Sequence, residues 1–110
     1  MLSSESRVKI RTSTKEDDTL VSVTGDFSYD AHQVLRKTYE NLSKEETKTV
    51  LLDLNDVDVI DSSIFGMLII MRDYLKTQGI EVKIISASDV MQQMIETCNF
   101  DDYLPTPDFH

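Results

Sequence analysis

Residues 50–71 read Val-Leu-Leu-Asp-Leu-Asn-Asp-Val-Asp-Val-Ile-Asp-Ser-Ser-Ile-Phe-Gly-Met-Leu-Ile-Ile-Met, an apolar run that passes through an acidic stretch into a second apolar run. Thr49 to Leu54 predicts a strand. Its nearly continuous Val50, Leu51, Leu52 and Leu54 suit a central strand covered on both faces. Asn55 to Asp58 predicts a turn, and Val59 and Ile60 a short apolar return. A helix is expected from about Ser62 to Gln78, with Ile64, Leu68, Met71 and Leu75 as one apolar stripe and Met67, Ile70 and Tyr74 beside it. Gly79 supplies the left-handed residue that stops this helix. At its start Asp61 is a good N-cap, and Ser62 falls in the first turn with its hydroxyl near solvent.

Working outward, residues 7–13 alternate apolar and polar and predict a strand wet on one face. A charged break at Lys15 to Asp18 separates it from a second strand, Leu20 to Gly25. Two strands joined by a short polar break predict an antiparallel hairpin. Asp30 and Gln33 stand at capping-box spacing for a first helix whose buried face carries Ala31, Val34, Leu35 and Leu42. Beyond the central stretch, Ile80 to Ile85 predicts a half-exposed strand. Ser88 or Asp89 caps a third helix with a stripe of Met91, Met94, Ile95 and Cys98, and Asn99 ends it. Tyr103 and Leu104 suit a last short strand ended by Pro105. The order β-β-α-β-α-β-α-(β) implies a mixed sheet with right-handed β-α-β crossovers and helices mainly on one face. No repeat or linker divides the chain, so residues 1–110 are expected to form one domain, with a core over about 7–104 and a tail over 105–110.

The chain has 110 residues and one cysteine, Cys98, which allows no internal disulfide. Residues 1–7 hold no apolar segment of the kind a signal peptide needs, and Ile64 to Met71 is far shorter than the ~20 residues that cross a bilayer. A cytoplasmic setting is the expectation. The net charge of −9 disfavours nucleic acid and anionic lipid as partners. The Asp53, Asp56 and Asp58 run lacks the glycine and distal glutamate of a calcium loop, so no metal is expected. Ser62 has no histidine partner at hand, since His32 lies on the first helix and His110 at the terminus, so no catalytic role is expected for it. A phosphoaspartate receiver would use Asp53 as acceptor, but the ends of the first and later strands carry Thr12-Ser13-Thr14 and Ser86-Ala87-Ser88 in place of the acidic pair and lysine. A phosphate on Ser62 is chemically reasonable: a helix N-terminus accepts the added charge of about −1.5 to −2, and Asp56, Asp58 and Asp61 sharpen its repulsion of a docked partner.

Leu52-Asp53-Leu54-x-x-Val57-x-x-Ile60-Asp61-Ser62-Ser63-x-x-Gly66-x-Leu68 resembles the signature of the STAS domain, in particular of bacterial anti-sigma factor antagonists. Val23-Thr24-Gly25-Asp26-Phe27 and Gly79-Ile80-Glu81-Val82 resemble two further family segments, and the likeness spans roughly 7–104. The resemblance implies a cofactor-free, non-enzymatic binding module, monomeric or weakly dimeric, that switches partners. Ser62 would be phosphorylated by a GHKL-type serine kinase that doubles as anti-sigma factor, and a PP2C-type phosphatase would reverse it. Asp26, Asp61, Ser62, Ser63, Ile64 and Phe65 would form the partner-binding surface. Ile64 and Phe65 stand where the family often has Gly-Leu, and the family's C-terminal helix is not seen, which would leave the outer side of the third helix seeking a partner. The alternative within the family is a non-switching subunit of a lipid-transport ABC ATPase complex, whose members often lack a serine at position 62.

Overall fold

A computed structural model describes residues 7–42 and 44–107. Strands β1 (Val8–Lys15), β2 (Asp18–Phe27), β3 (Thr49–Ile60) and β4 (Glu81–Ala87) form one sheet in the order β1-β2-β3-β4. Helices α1 (His32–Glu40), α2 (Ser63–Thr77) and α3 (Asp89–Thr97) alternate with the later strands. The β1–β2 hairpin is antiparallel, while β2–β3 and β3–β4 are parallel. The hairpin is closed by Lys15 opposite Asp18, across a two-residue loop in which Glu16 takes a left-handed φ of 57°.

All helices pack on one face of the sheet. Val21, Val23, Val50, Leu52, Leu54, Val82, Ile84 and Ala87 are buried beneath them, together with Leu35, Leu68, Met71, Leu75, Met91 and Ile95 from the helices. The intervening strand residues face the other side, where Leu20, Leu51 and Asp53 are only half-buried. The expectation that the third strand is covered on both faces is therefore corrected: Leu51 lies on the open side, and alternation survives within the apolar run.

The expected turn at Asn55 to Asp58 does not exist; β3 runs unbroken for 12 residues. Its register against β2 slips twice, between Ser22 and Thr24 and between Gly25 and Asp26, with the extra residue on β3 each time. Each bulge advances the buried position by three residues instead of two. Leu54, Val57 and Ile60 thus face the helices, and the polar residues between them are exposed or at the rim. A bulge in β4 between the partners of Leu52 and Asp53 exposes Ile85 in the same way. Gly25 faces this irregular segment with φ 94°, and a Cβ there would meet the carbonyl oxygen of Arg7. Only glycine fits.

Several local expectations are also corrected. Asp30 does not cap α1: a 3-10 turn over Tyr29–Ala31 leads into the helix, and Tyr39 joins Ala31 and Leu35 in its buried face. On α2, Ile70 and Tyr74 are exposed rather than packed. Cys98 is exposed rather than part of the α3 stripe, and the outer side of α3 carries polar Gln93, Glu96 and Thr97, so it offers no apolar face to a partner. Residues 103–104 form no strand. A 3-10 turn over Phe100–Asp102 buries Phe100, Leu104 is buried beside it, and the Pro105 carbonyl accepts a hydrogen bond from Ile84 N–H at 2.9 Å. The C-terminal segment thereby covers part of the β4 edge. Arg72 helps hold it, donating through Nη1 to the Tyr103 carbonyl.

Candidate functional site

The ends of β2 and β3 and the starts of α1 and α2 meet at one corner of the molecule. Phe27 pairs with Ile60 there, and the chain then enters α1 on one side and α2 on the other. Corners of this kind, beyond the carboxyl ends of parallel strands, are where α/β folds gather functional groups.

Asp61 ties the corner together. Its Oδ1 accepts hydrogen bonds from Ser63 N–H at 3.0 Å and from the Ser63 hydroxyl, and its Oδ2 accepts from Tyr29 N–H at 3.2 Å. The Ser63 hydroxyl, followed by the backbone N–H groups of Tyr29 and Ser63, holds the Asp61 carboxyl below the usual aspartate range, against a smaller opposing effect of burial. One carboxylate therefore starts α2 and pins the lead-in to α1. The expected cap acts from one position earlier than the formal N-cap, Ser62.

Because Asp61 holds the end of the helix, Ser62 does not have to. Ser62 has helical φ and ψ of −68° and −14°, makes no side-chain cap hydrogen bond, and is exposed. Ser63 is half-buried, with its hydroxyl committed to Asp61. The backbone N–H groups of Ile64 and Phe65 are held only by long bonds of 3.3 Å to the carbonyls of Asp61 and Ser62. The positive end of α2 is thus lightly satisfied next to a free hydroxyl.

Of the other expected site residues, Asp26 is half-buried at the end of β2, opposite Val59 and at the same corner. Ile64 and Phe65 are not docking residues in this arrangement: Ile64 is fully buried, and Phe65 is buried against Phe100, with ring centroids 4.5 Å apart. Their side chains build the core beneath the corner, because the α2 stripe begins at its first turn. The exposed apolar surface comes instead from Tyr29, Val59 and Ile70. Tyr29 stacks on His32 at 4.7 Å, and its backbone is bonded to Asp61. Gly66 is exposed, with open space where a side chain would stand. Ser62, Gly66 and Ile70 follow a four-residue ridge along the outside of α2. Next to that ridge, a groove of about 350 Å³ runs between α1 and α2 over Leu35, Tyr39, Met67, Ile70 and Tyr74.

Asp53, considered as a phosphate acceptor, lies within β3 on the open sheet face and accepts from Asn55 N–H at 3.1 Å. Among the described residues, no helix is long and apolar enough to cross a membrane.

The model of the STAS domain matches residues 9–109. The chain belongs to the STAS domain family. A STAS-domain containing protein of Pseudomonas aeruginosa strain UCBPP-PA14 is 27% identical over 81 residues, covering 74% of this chain and 79% of that protein. An anti-sigma factor antagonist from Mycobacterium paratuberculosis superposes with a TM-score of 0.77 at 14% identity, over 93% of this chain and 87% of that one. The anti-sigma factor antagonist SpoIIAA in its unphosphorylated form superposes with a TM-score of 0.71 at 10% identity, over 92% and 90% of the two chains. At such identities these structures establish the shared fold. The mixed four-stranded sheet with three helices is the STAS architecture that the order of elements in the sequence implied.

Proposed function

We propose that this STAS domain is a phosphorylation-switched binding module of the anti-sigma factor antagonist type, acting in the cytoplasm without catalysis or cofactor of its own and using the whole chain as one domain. Unphosphorylated, it binds a GHKL-type serine kinase that doubles as anti-sigma factor. Phosphorylation of Ser62 breaks that complex, and a PP2C-type phosphatase restores it.

The observation that carries this reading is the freedom of Ser62. Its hydroxyl is exposed and unused at a helix start already capped by Asp61. A phosphate added there displaces no hydrogen bond of the fold, and the helix N-terminus partly offsets its charge. Asp26 and Asp61 stand at this corner and Asp56 and Asp58 precede it on β3, so the new dianion adds to charge of the same sign. A partner seated on Tyr29, Val59, Gly66 and Ile70 would then face charge where it had met a hydroxyl. Two of the solved structures similar in fold are SpoIIAA in its phosphorylated and unphosphorylated forms, which supports the reading by analogy.

Incubation with the partner kinase and ATP, followed by tandem mass spectrometry, should place one phosphate on Ser62. Ser62→Asp should weaken kinase binding at least about tenfold, or about 1.4 kcal/mol, and Ser62→Ala should preserve it. Equal binding by both variants would remove the switch and leave a constitutive subunit as the better account.

A further inference from the structure

We propose that β1 is a docking edge for an extended acidic segment of a protein partner, which adds to the sheet as a further strand. This surface does not include Ser62 and does not depend on it; its Arg7 end adjoins the corner through Asp26, and its Lys15 end lies at the far end of the strand.

β1 is an edge strand, with β2 on one side and no strand on the other among the described residues. The Arg7 carbonyl accepts from Asp26 N–H, which sets the phase of the antiparallel ladder. Positions 7, 9, 11, 13 and 15 direct their backbone groups to β2. Ile10, Thr12 and Thr14 therefore direct theirs to the open edge. Residues 11–15 are all exposed, so among the described residues nothing covers that edge over most of its length. The other edge of the sheet differs, since β4 already receives the Pro105 carbonyl.

Charge names the occupant. Of the 11 Lys and Arg residues in a chain of net charge −9, four lie at positions 7, 9, 11 and 15, with no acidic residue among 7–15. Alternation puts Arg7, Lys9, Arg11 and Lys15 on the open face, away from the helices. None of them forms a side-chain ion pair among the described residues. The acids on the same face are set inward of the β1 row: Asp18 opposite Lys15 and Asp26 opposite Arg7 on β2, Asp53 and Asp56 beyond Ser22 and Thr24 from Arg11 and Lys9 on β3, and Glu81 on β4. A second copy of this chain is a poor occupant, because edge-to-edge pairing would set the two rows of cations against each other. Nucleic acid is repelled by the rest of the molecule and makes no use of a strand's N–H and C=O row. An extended peptide with Glu or Asp at alternate positions satisfies both features, the ladder groups of Ile10, Thr12 and Thr14 and the cations beside them.

The test uses the full chain, isotope-labelled, titrated with a short synthetic peptide of alternating Glu and Thr and with its Lys counterpart. The Glu peptide should shift and protect the amides of Ile10, Thr12 and Thr14, and its affinity should fall as salt rises. Lys9→Glu combined with Arg11→Glu should weaken it about tenfold. Thr12→Pro removes one outward N–H without touching the β1–β2 ladder, and should abolish binding while spectra elsewhere stay unchanged. The Lys9→Glu variant alone carries the test if the proline variant fails to fold. Ser62→Asp should leave the peptide affinity unchanged, so this proposal and the switch stand or fall separately. Equal response to the Lys peptide, shifts mapping outside β1, tighter binding of an oligothymidylate to the same amides, or no response at millimolar peptide would each overturn it.

Discussion

Among the described residues, two α-helices begin at a serine, and the two serines do opposite things. Ser88 stands before α3 in extended conformation, with ψ 167°, and its hydroxyl accepts from Met91 N–H at 3.4 Å. It is half-buried and does the ordinary work of a cap. Ser62 stands before α2 in helical conformation and caps nothing, because Asp61 has already taken the Ser63 N–H. The contrast teaches that residue type at a helix start does not tell a structural serine from an available one. What tells them apart is whether a neighbour has relieved it of the capping role.

Removing that neighbour should have the largest effect on the contrast. Asp61→Ala strips an acceptor from Tyr29 N–H, Ser63 N–H and the Ser63 hydroxyl. It is expected to cost about 1–2 kcal/mol in urea unfolding, and the Ser62 hydroxyl should then turn inward as a cap and become a poorer kinase substrate. Ser88→Ala comes next, at about 1 kcal/mol, read in the same assay. Gly66→Ala should move the other way. The site is helical and open, so stability rises by about 0.5–1 kcal/mol, yet binding of the kinase partner weakens because a methyl group now stands on the α2 ridge. Ser62→Ala should be the quietest, within about 0.5 kcal/mol of the natural protein. A loss as large as that of Ser88→Ala would erase the contrast.

Acidification offers a finer test. The folded Asp61 carboxyl is held below its ordinary value, so its contribution to stability is present above the unfolded aspartate pKa and is lost as pH falls through the folded one. The gap in urea midpoint between the natural protein and Asp61→Ala should therefore be steady near neutrality and narrow below about pH 4. A gap that instead widened on acidification would contradict the hydrogen-bonded carboxylate.

The parts of the fold legible in the sequence were those with an unbroken period. The β1–β2 hairpin, the Ile64, Leu68, Met71 and Leu75 stripe, and the stops at Gly79 and Asn99, with φ 76° and 51°, all follow from local chemistry. The second half of β3 did not, because two bulges changed its buried spacing from two residues to three, and Asn55, Asp56 and Asp58 then imitated a turn. The tail departs from the expected strand for a related reason. Phe100 and Leu104 are drawn into the core by a 3-10 turn that gives no periodic signal. At the corner, the role of Asp61 as cap is legible from residue type, while the burial of Ile64 and Phe65 depends on where α2 sits against the sheet. Tyr29 and Val59 carried no warning, since each reads as an ordinary residue of a helix lead-in or a strand.

The most direct test installs phosphoserine at position 62 by genetic encoding and compares that protein with the unmodified chain in thermal unfolding and in binding to the partner kinase. The unfolding midpoint is expected to stay close to that of the unmodified chain while the complex is lost. A collapsed midpoint, or an intact fold that binds the kinase as tightly as before, would contradict the switch at Ser62.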